Sequence, residues 1–238
     1  MSTPITLALF CFAPRRRVKK LMDKLYHVGM NLIEHILRMV FPPRETQTLI
    51  DAERLETIGT QVTPTTLTCN GQDIHALLPY REPSVRALIV EAKFHEHTHA
   101  HTLLGNLLAE YIHELIEEMV FDPKHVIVVP IPLSTTRLRT RGYNQTQKIV
   151  SVAVRALPSV EIGHALVRTR DTVPQMTLSR AKRLRNLEGA FSVKAPLAPD
   201  SLYVLVDDVT TTGTTLSVAA SVLREHGAQH LHLLALAH

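Results

Sequence analysis

Residues 202–216, LYVLVDDVTTTGTTL, decide how the rest of the chain is read. Tyr203-Val204-Leu205-Val206 is an apolar run long enough for one fully buried strand. Asp207 and Asp208 follow at once. Then comes a loop of small hydroxyl residues around one glycine, Thr210-Thr211-Thr212-Gly213-Thr214-Thr215. Apolar residues return at helical spacing with Leu216, Val218, Ala219, Val222 and Leu223. Gly227 stands where a helix C-cap would fall, and residues 231–237 form another apolar run. Strand, loop, helix, strand predicts a βαβ unit with parallel strands and a right-handed crossover.

The chemistry follows from that order. Ligands of parallel sheets sit beyond the carboxyl ends of the strands. The loop sets backbone N–H groups at the positive end of the following helix, which suits an anion. Gly213 allows close backbone approach, and the threonine hydroxyls can donate to phosphate oxygens. Two aspartates would repel that phosphate. They are better matched to vicinal hydroxyls, which donate to carboxylates. A phosphorylated sugar divides itself in this way.

Composition is that of a globular protein: 238 residues, 45% hydrophobic and 20% charged, with a formal net charge of +4. The positive balance suits an anionic substrate or loose nucleic-acid binding, but scarce aromatics count against a base-stacking surface. Cys11 and Cys69 are the only cysteines, so neither a disulfide framework nor a cysteine zinc site is expected. Residues 5–13 are apolar but too short to span a bilayer, and their arginines follow rather than precede them. No membrane span or export signal is expected, and the reading is cytoplasmic.

Along the chain, Val18, Leu21, Leu25, Leu32, Ile36 and Val40 predict a helix stopped by Pro42-Pro43. Residues 44–64 are polar and weakly patterned and read as a short helix and a linker. Asn70-Gly71 predicts a hairpin between residues 65–69 and 72–78. Helices are expected from Pro83 and from about His99 to Met119. Between them, His95, His97, His99 and His101 alternate; they could gather a metal if extended, but a solvated loop is the simpler reading. Residues 126–129 read as a buried strand, followed by Pro130-Ile131-Pro132-Leu133-Ser134 and by Arg137, Arg139 and Arg141 on a basic loop. Gly142-Tyr143-Asn144-Gln145 opens the next helix. Residues 165–168 predict a strand, and a basic helix from Leu178 suits a lid over a polyphosphate.

An apolar strand, two acids and TTTGTT resemble the phosphoribosyl pyrophosphate (PRPP) motif of type I phosphoribosyltransferases. Residues 129–145 (VPIPLSTTRLRTRGYNQ), 168–191 (RTRDTVPQMTLSRAKRLRNLEGAF) and 80–94 (YREPSVRALIVEAKF) narrow the resemblance to the ComF family of competence-associated proteins. The resemblance implies an α/β fold, a mainly parallel sheet flanked by helices, over residues 65–238, with an N-terminal extension over residues 1–64. It implies that Asp207 and Asp208 hold ribose hydroxyls. Thr211, Thr212, Gly213, Thr214 and Thr215 would hold the 5-phosphate, with Thr210 also among the PRPP-binding residues. Pro130, Ile131 and Pro132 would line the pyrophosphate, with Arg139, Arg141 and Lys93 nearby. Asp207, Asp208, Arg139 and Arg141 are the candidate catalytic residues. Mg²⁺ would be held mostly by substrate oxygens and water, with help from the two acids. ComF proteins commonly carry a cysteine-ligated zinc module near the N-terminus. Here Phe41-Pro42-Pro43 is followed by Arg44 and Glu45 instead of cysteine, so that module is expected to be lost.

Three functions follow. The first is Mg-dependent phosphoribosyl transfer to a nitrogenous acceptor, associated with competence and DNA-uptake proteins. The second is a regulatory protein that binds PRPP or a nucleotide without turnover. The third is a single-stranded DNA-binding accessory protein using the basic stretches.

Overall fold

The computed structural model describes residues 44–171 and 187–238. The helix expected before Pro42 and the basic helix expected from Leu178 lie outside the described residues. The order of elements is α1 (Glu45–Ala52), α2 (Leu55–Gly59), β1 (Thr65–Cys69), β2 (Gln72–Leu78), α3 (Pro83–Phe94), α4 (Thr98–Glu117), β3 (Val126–Pro130), α5 (Thr135–Arg141), α6 (Gln145–Ala156), β4 (Val160–Ile162), β5 (Leu166–Arg168), β6 (Phe191–Val193), β7 (Leu202–Val209), α7 (Thr214–Glu225) and β8 (His230–Ala237).

The main sheet has six strands in the order β1-β2-β8-β7-β3-β4. Only β1 runs antiparallel to its neighbour; the pairs β2–β8, β8–β7, β7–β3 and β3–β4 are all parallel. This is the mainly parallel α/β sheet that the motif required. The predicted hairpin is present: Asn70 and Gly71 take φ of 52° and 70°, the positive pair that a two-residue turn between twisted strands needs. β5 and β6 form a separate antiparallel pair.

β7 sits inside the sheet and is covered on both faces, which is why its sequence is an unbroken apolar run. Val204 and Val206 face one core with Leu88, Leu104, Leu108 and Ile149 from α3, α4 and α6. Tyr203 and Leu205 alternate to the other core, with Leu216 and Leu223 of α7 and Phe191 of β6.

The larger compact unit runs from Thr46 to His238. Residues 44–64 form two short helices, and Ile50 and Ile58, both fully buried, join the core of α3 and α4. Two apolar residues suffice to anchor helices too short to show a periodicity. The histidine stretch starts as an exposed connection at His95 and Glu96 and then enters α4. His97 caps α4, its Nδ1 accepting from the Ala100 N–H at 3.4 Å, and its Nε2 lies 3.1 Å from Asp51. His99 and His101 lie in the first turn of α4, bonded to the carbonyls of Glu53 and Ala92 at 2.9 and 3.0 Å. Among the described residues no group of three or more His, Cys, Asp or Glu side chains is arranged to hold a metal.

Candidate functional site at the ends of β3 and β7

A cleft of about 540 Å³ opens beyond the carboxyl ends of β3 and β7. Its floor is acidic, formed by Asp207 and Asp208 with Val209, Thr210, Thr211 and Thr215. One wall is basic, with Lys93 from α3, Arg137 and Arg141 from α5, and Arg168 from β5. Tyr80, Phe94, Ile131, Pro132, Leu133, Gln145, Thr146 and His238 complete the lining.

The two acids are not equivalent. Asp208 is 5% exposed and turned toward protein partners. Its Oδ2 lies 3.0 Å from the Lys93 ammonium and accepts from the Gln145 amide at 2.8 Å. Its Oδ1 accepts from the Val209 N–H at 2.8 Å. Burial pushes its carboxyl up, but the Lys93 charge and these hydrogen bonds outweigh that and hold it below the usual carboxylate value. Asp207 is half-buried and accepts the Asp208 N–H at 2.9 Å. Burial, and then repulsion by the Asp208 charge, push its carboxyl up to about 7. Both acids line the cleft, and Asp208 is ion-paired there to Lys93.

The threonine loop divides in the same manner. Thr211 and Thr215 line the cleft. Thr210 also lines it, yet its hydroxyl is committed to the Gly213 N–H at 3.0 Å. Thr212 and Thr214 bond each other through their hydroxyls at 2.7 Å and lie off the cleft lining, as does Gly213. Gly213 is the N-cap of α7, at φ +75°.

On the other side, the expected basic loop is the helix α5, capped by Ser134, whose hydroxyl accepts from the Arg137 N–H at 3.4 Å. Helical spacing sets Arg137 and Arg141, four apart, on the face toward the cleft. Arg139, two residues from each, is exposed and lies outside the lining. Pro130 is also outside it, because it belongs to β3 and pairs with Val206. Arg141 donates to Gln145, which donates to Asp208, so basic wall and acidic floor are joined. Burial lowers the pKa of Arg141 and of Arg168, yet a guanidinium stays protonated in proteins.

Thus Lys93, Ile131, Pro132, Arg141, Asp207, Asp208, Thr210, Thr211 and Thr215 meet as expected, while Pro130, Arg139, Thr212, Gly213 and Thr214 do not line the cleft. Arg137, Arg168, Phe94, Tyr80, Gln145 and His238 join them in the lining without a motif that marks them as site residues. For Arg137 the signal was there: four-residue spacing to Arg141 on a segment beginning with a serine cap.

No protein-family model matches the chain. Two solved structures overlap it in part. An allosteric regulatory enzyme of purine biosynthesis covers 62% of this chain and 30% of its own at 18% identity and a TM-score of 0.35. A hypoxanthine phosphoribosyltransferase from Staphylococcus aureus covers 57% and 61% at 11% identity and a TM-score of 0.33. Sequence relatives are nearer. Competence protein F of Haemophilus influenzae is 35% identical over 112 residues, 46% of this chain and 49% of that protein. DNA utilization protein YhgH of Escherichia coli K12 is 38% identical over 101 residues, 42% and 44% of the two chains. Competence protein ComFC of Bacillus subtilis is 37% identical over 108 residues, 45% and 42%. The match spans about half the length of these relatives. Over that stretch the chain is a homologue of the competence protein F, ComFC and YhgH proteins, the relationship that its ComF-like motifs suggested.

Proposed function

We propose that the cleft binds a ribose 5-phosphate carrying pyrophosphate, PRPP, and transfers the phosphoribosyl group to a nitrogenous acceptor. One observation carries this reading. Adjoining acids at the end of β7, threonines at the start of α7, and the guanidinium groups of Arg137, Arg141 and Arg168 share one cleft. That is a surface for hydroxyls, for one phosphate and for a second, more highly charged phosphate group.

In this reading, Asp207 accepts a ribose hydroxyl. Asp208 accepts the neighbouring one by sharing or exchanging its bond to Lys93. Thr211, Thr215 and the first N–H groups of α7 take the 5-phosphate. Arg137, Arg141 and Arg168 neutralise the pyrophosphate as it departs from the ribose C1. The remaining threonines hold the loop in shape. The donor set suits Mg²⁺ only as a guest of the substrate. Lys93 already occupies Asp208, so Asp207 is the better-placed carboxylate to support a cation bound mostly by polyphosphate and water. Bound there, the ion would supply further charge neutralisation on the phosphate oxygens.

The names of the relatives, competence proteins and a DNA utilization protein, support placing this chemistry in the uptake or use of DNA. The Lys93–Asp208 ion pair favours a second reading, a regulatory protein that binds the same ligand without turnover. Titration calorimetry with PRPP and Mg²⁺ tests the common part of both. Binding should be lost when Asp207→Asn and Asp208→Asn are combined, with circular dichroism unchanged; undiminished affinity in that variant would end the ribose assignment. Pyrophosphate release across a panel of bases separates enzyme from sensor. None of the described helices is long and apolar enough to cross a membrane.

A further inference from the structure

His238 lines the cleft, and the ribose phosphate reading leaves it unused. It follows β8 directly, and its main chain is held from both sides. Its N–H donates to the Leu78 carbonyl at 3.0 Å, and its main-chain oxygen accepts from the Tyr80 N–H at 2.8 Å. It thus continues the ladder between β2 and β8, and strand alternation sets its side chain on the sheet face of Leu234 and Leu236. Asp208 shares that face, two residues beyond Val206. The ring is oriented as well. Its Nδ1 lies 3.1 Å from the Thr210 carbonyl oxygen. A carbonyl oxygen only accepts, so Nδ1 carries the hydrogen, and in the neutral ring Nε2 keeps its lone pair. His238 is exposed, which leaves Nε2 open to a ligand. The other charged groups of the lining are poorly suited to take up a proton during the reaction. Lys93 and the arginines are cations, Asp208 is paired to Lys93, and Asp207 is assigned to a ribose hydroxyl.

We propose that His238 is a catalytic residue, the general base that takes the proton from the acceptor nitrogen as that nitrogen bonds to the ribose C1. This rests on the phosphoribosyl transfer reading of the cleft. The strand order β8-β7-β3 sets the two acids between His238 and the arginines that follow β3. Arg137 and Arg141 stand on α5 and draw the pyrophosphate to the β3 side. A nucleophile that displaces it reaches C1 from the opposite side, which is the side of β8. The N–C1 bond forms while the C1–O bond to pyrophosphate breaks. The electron pair of that bond leaves with the pyrophosphate oxygen, and the N–H proton passes to Nε2. Imidazole is the commonest general base for such a transfer. The Thr210 carbonyl, which accepts from Nδ1–H, holds the ring in place and steadies the imidazolium that results.

Pyrophosphate release from PRPP and Mg²⁺ with adenine, guanine, hypoxanthine and uracil, beside calorimetry with PRPP, tests this. His238→Asn keeps an amide N–H for the Thr210 carbonyl but has no basic nitrogen. It should lower kcat by about 100-fold or more and change PRPP affinity by less than about twofold. In His238→Ala, added imidazole should restore release in proportion to the concentration of its free base. A kcat in His238→Asn within about threefold of the intact protein overturns the inference, as does a His238→Ala that imidazole does not rescue. So does a matching fall in PRPP affinity, since the ring would then only shape the threonine loop. No release by the intact protein while PRPP still binds also overturns it and leaves the sensor reading in place. Failure of PRPP to bind the intact protein removes the underlying reading and this one with it.

Discussion

The two strand–loop–helix units that build the cleft translate sequence into space with different directness. From β7 the chain reaches α7 through residues 210–213 alone, so linear order is nearly spatial order. From β3 to α6 an additional helix, α5, is interposed. Its turn of 3.6 residues re-sorts the arginines: Arg137 and Arg141 reach the cleft and Arg139 does not. The units also differ in charge. The first contributes carboxylates that titrate, the second guanidinium groups that do not. A short loop lets a motif be read as a site, whereas an inserted helix makes the phase of the helix the decisive unknown.

Titration should separate the units most widely. Asp207 has a carboxyl raised from 3.8 to about 7 by burial and by Asp208. A carboxyl raised in the folded state binds its proton more tightly there than in the unfolded chain. Its contribution is fully present below pH 3.8 and is lost as pH rises through about 7. Over that window Asp207 should lower stability by up to about 1.4 kcal/mol per pH unit. Urea denaturation at several pH values should show a decline that Asp207→Asn flattens and that Arg141→Ala does not. An identical decline in Asp207→Asn would break the distinction between the units.

The glycines of the two units give the next contrast. Gly213 has φ +75°, and a Cβ there would lie 2.2 Å from Ile74 Cδ1 and 3.1 Å from Cys69 Cβ, both of them fully buried residues of the hairpin. Gly142 has φ +85° with nothing within 4 Å. Gly213→Ala should cost about 3 kcal/mol, from left-handed strain together with overpacking. Gly142→Ala should cost about 1 kcal/mol, from strain alone. Equal costs in denaturant titration would mean that the β7 loop is not wedged against the hairpin.

The same contrast explains how much was legible. The run from Tyr203 to Val206 is apolar because β7 is buried on both faces, and the acids and threonines follow it without intervening structure. The hairpin was legible because Asn70-Gly71 has one common use. Arg168 and Phe94 were not legible, because each reaches the cleft from an element far away in sequence, and contact across the chain leaves no local pattern. The ion pair of Lys93 with Asp208 was hidden for the same reason. Residues 44–64 show only a weak pattern because Ile50 and Ile58 bury themselves singly, without the repeat that marks an amphipathic helix.

Arginine substitutions sharpen the phase argument directly. Arg141→Ala removes a guanidinium from the cleft wall and should weaken PRPP binding by about 10- to 100-fold, the range of a charge-assisted hydrogen bond to phosphate. Arg137→Ala should follow the same direction. Arg139→Ala, on the exposed side of α5, should change affinity by less than about twofold, since only distant, screened attraction is lost. Calorimetry on these variants ranks them. Equal losses at Arg139 and Arg141 would mean that the segment acts as a diffuse basic patch and that its helical phase is irrelevant.

The smallest expected effect tests the joint that makes the two units one site. Tyr143, between α5 and α6, donates its hydroxyl hydrogen to the Ala92 carbonyl at 3.0 Å and accepts the Glu96 N–H at 2.7 Å. It thereby brackets Lys93, the partner of Asp208, from outside the cleft. Tyr143→Phe keeps the ring, on which the Lys148 ammonium sits 4.8 Å from the centroid. It leaves the Ala92 carbonyl still bonded to His101 at 3.0 Å and frees the exposed Glu96 N–H to bind water. No buried polar group is orphaned, so the cost should be about 1 kcal/mol, or roughly 2–4 °C in Tm for a chain of this size. The informative quantity is the ratio between effects. If Tyr143 only adds stability, PRPP affinity will not move. If it fixes Lys93 against Asp208, affinity will shift along with Tm, and adding Tyr143→Phe to Lys93→Met will cause no further change in affinity.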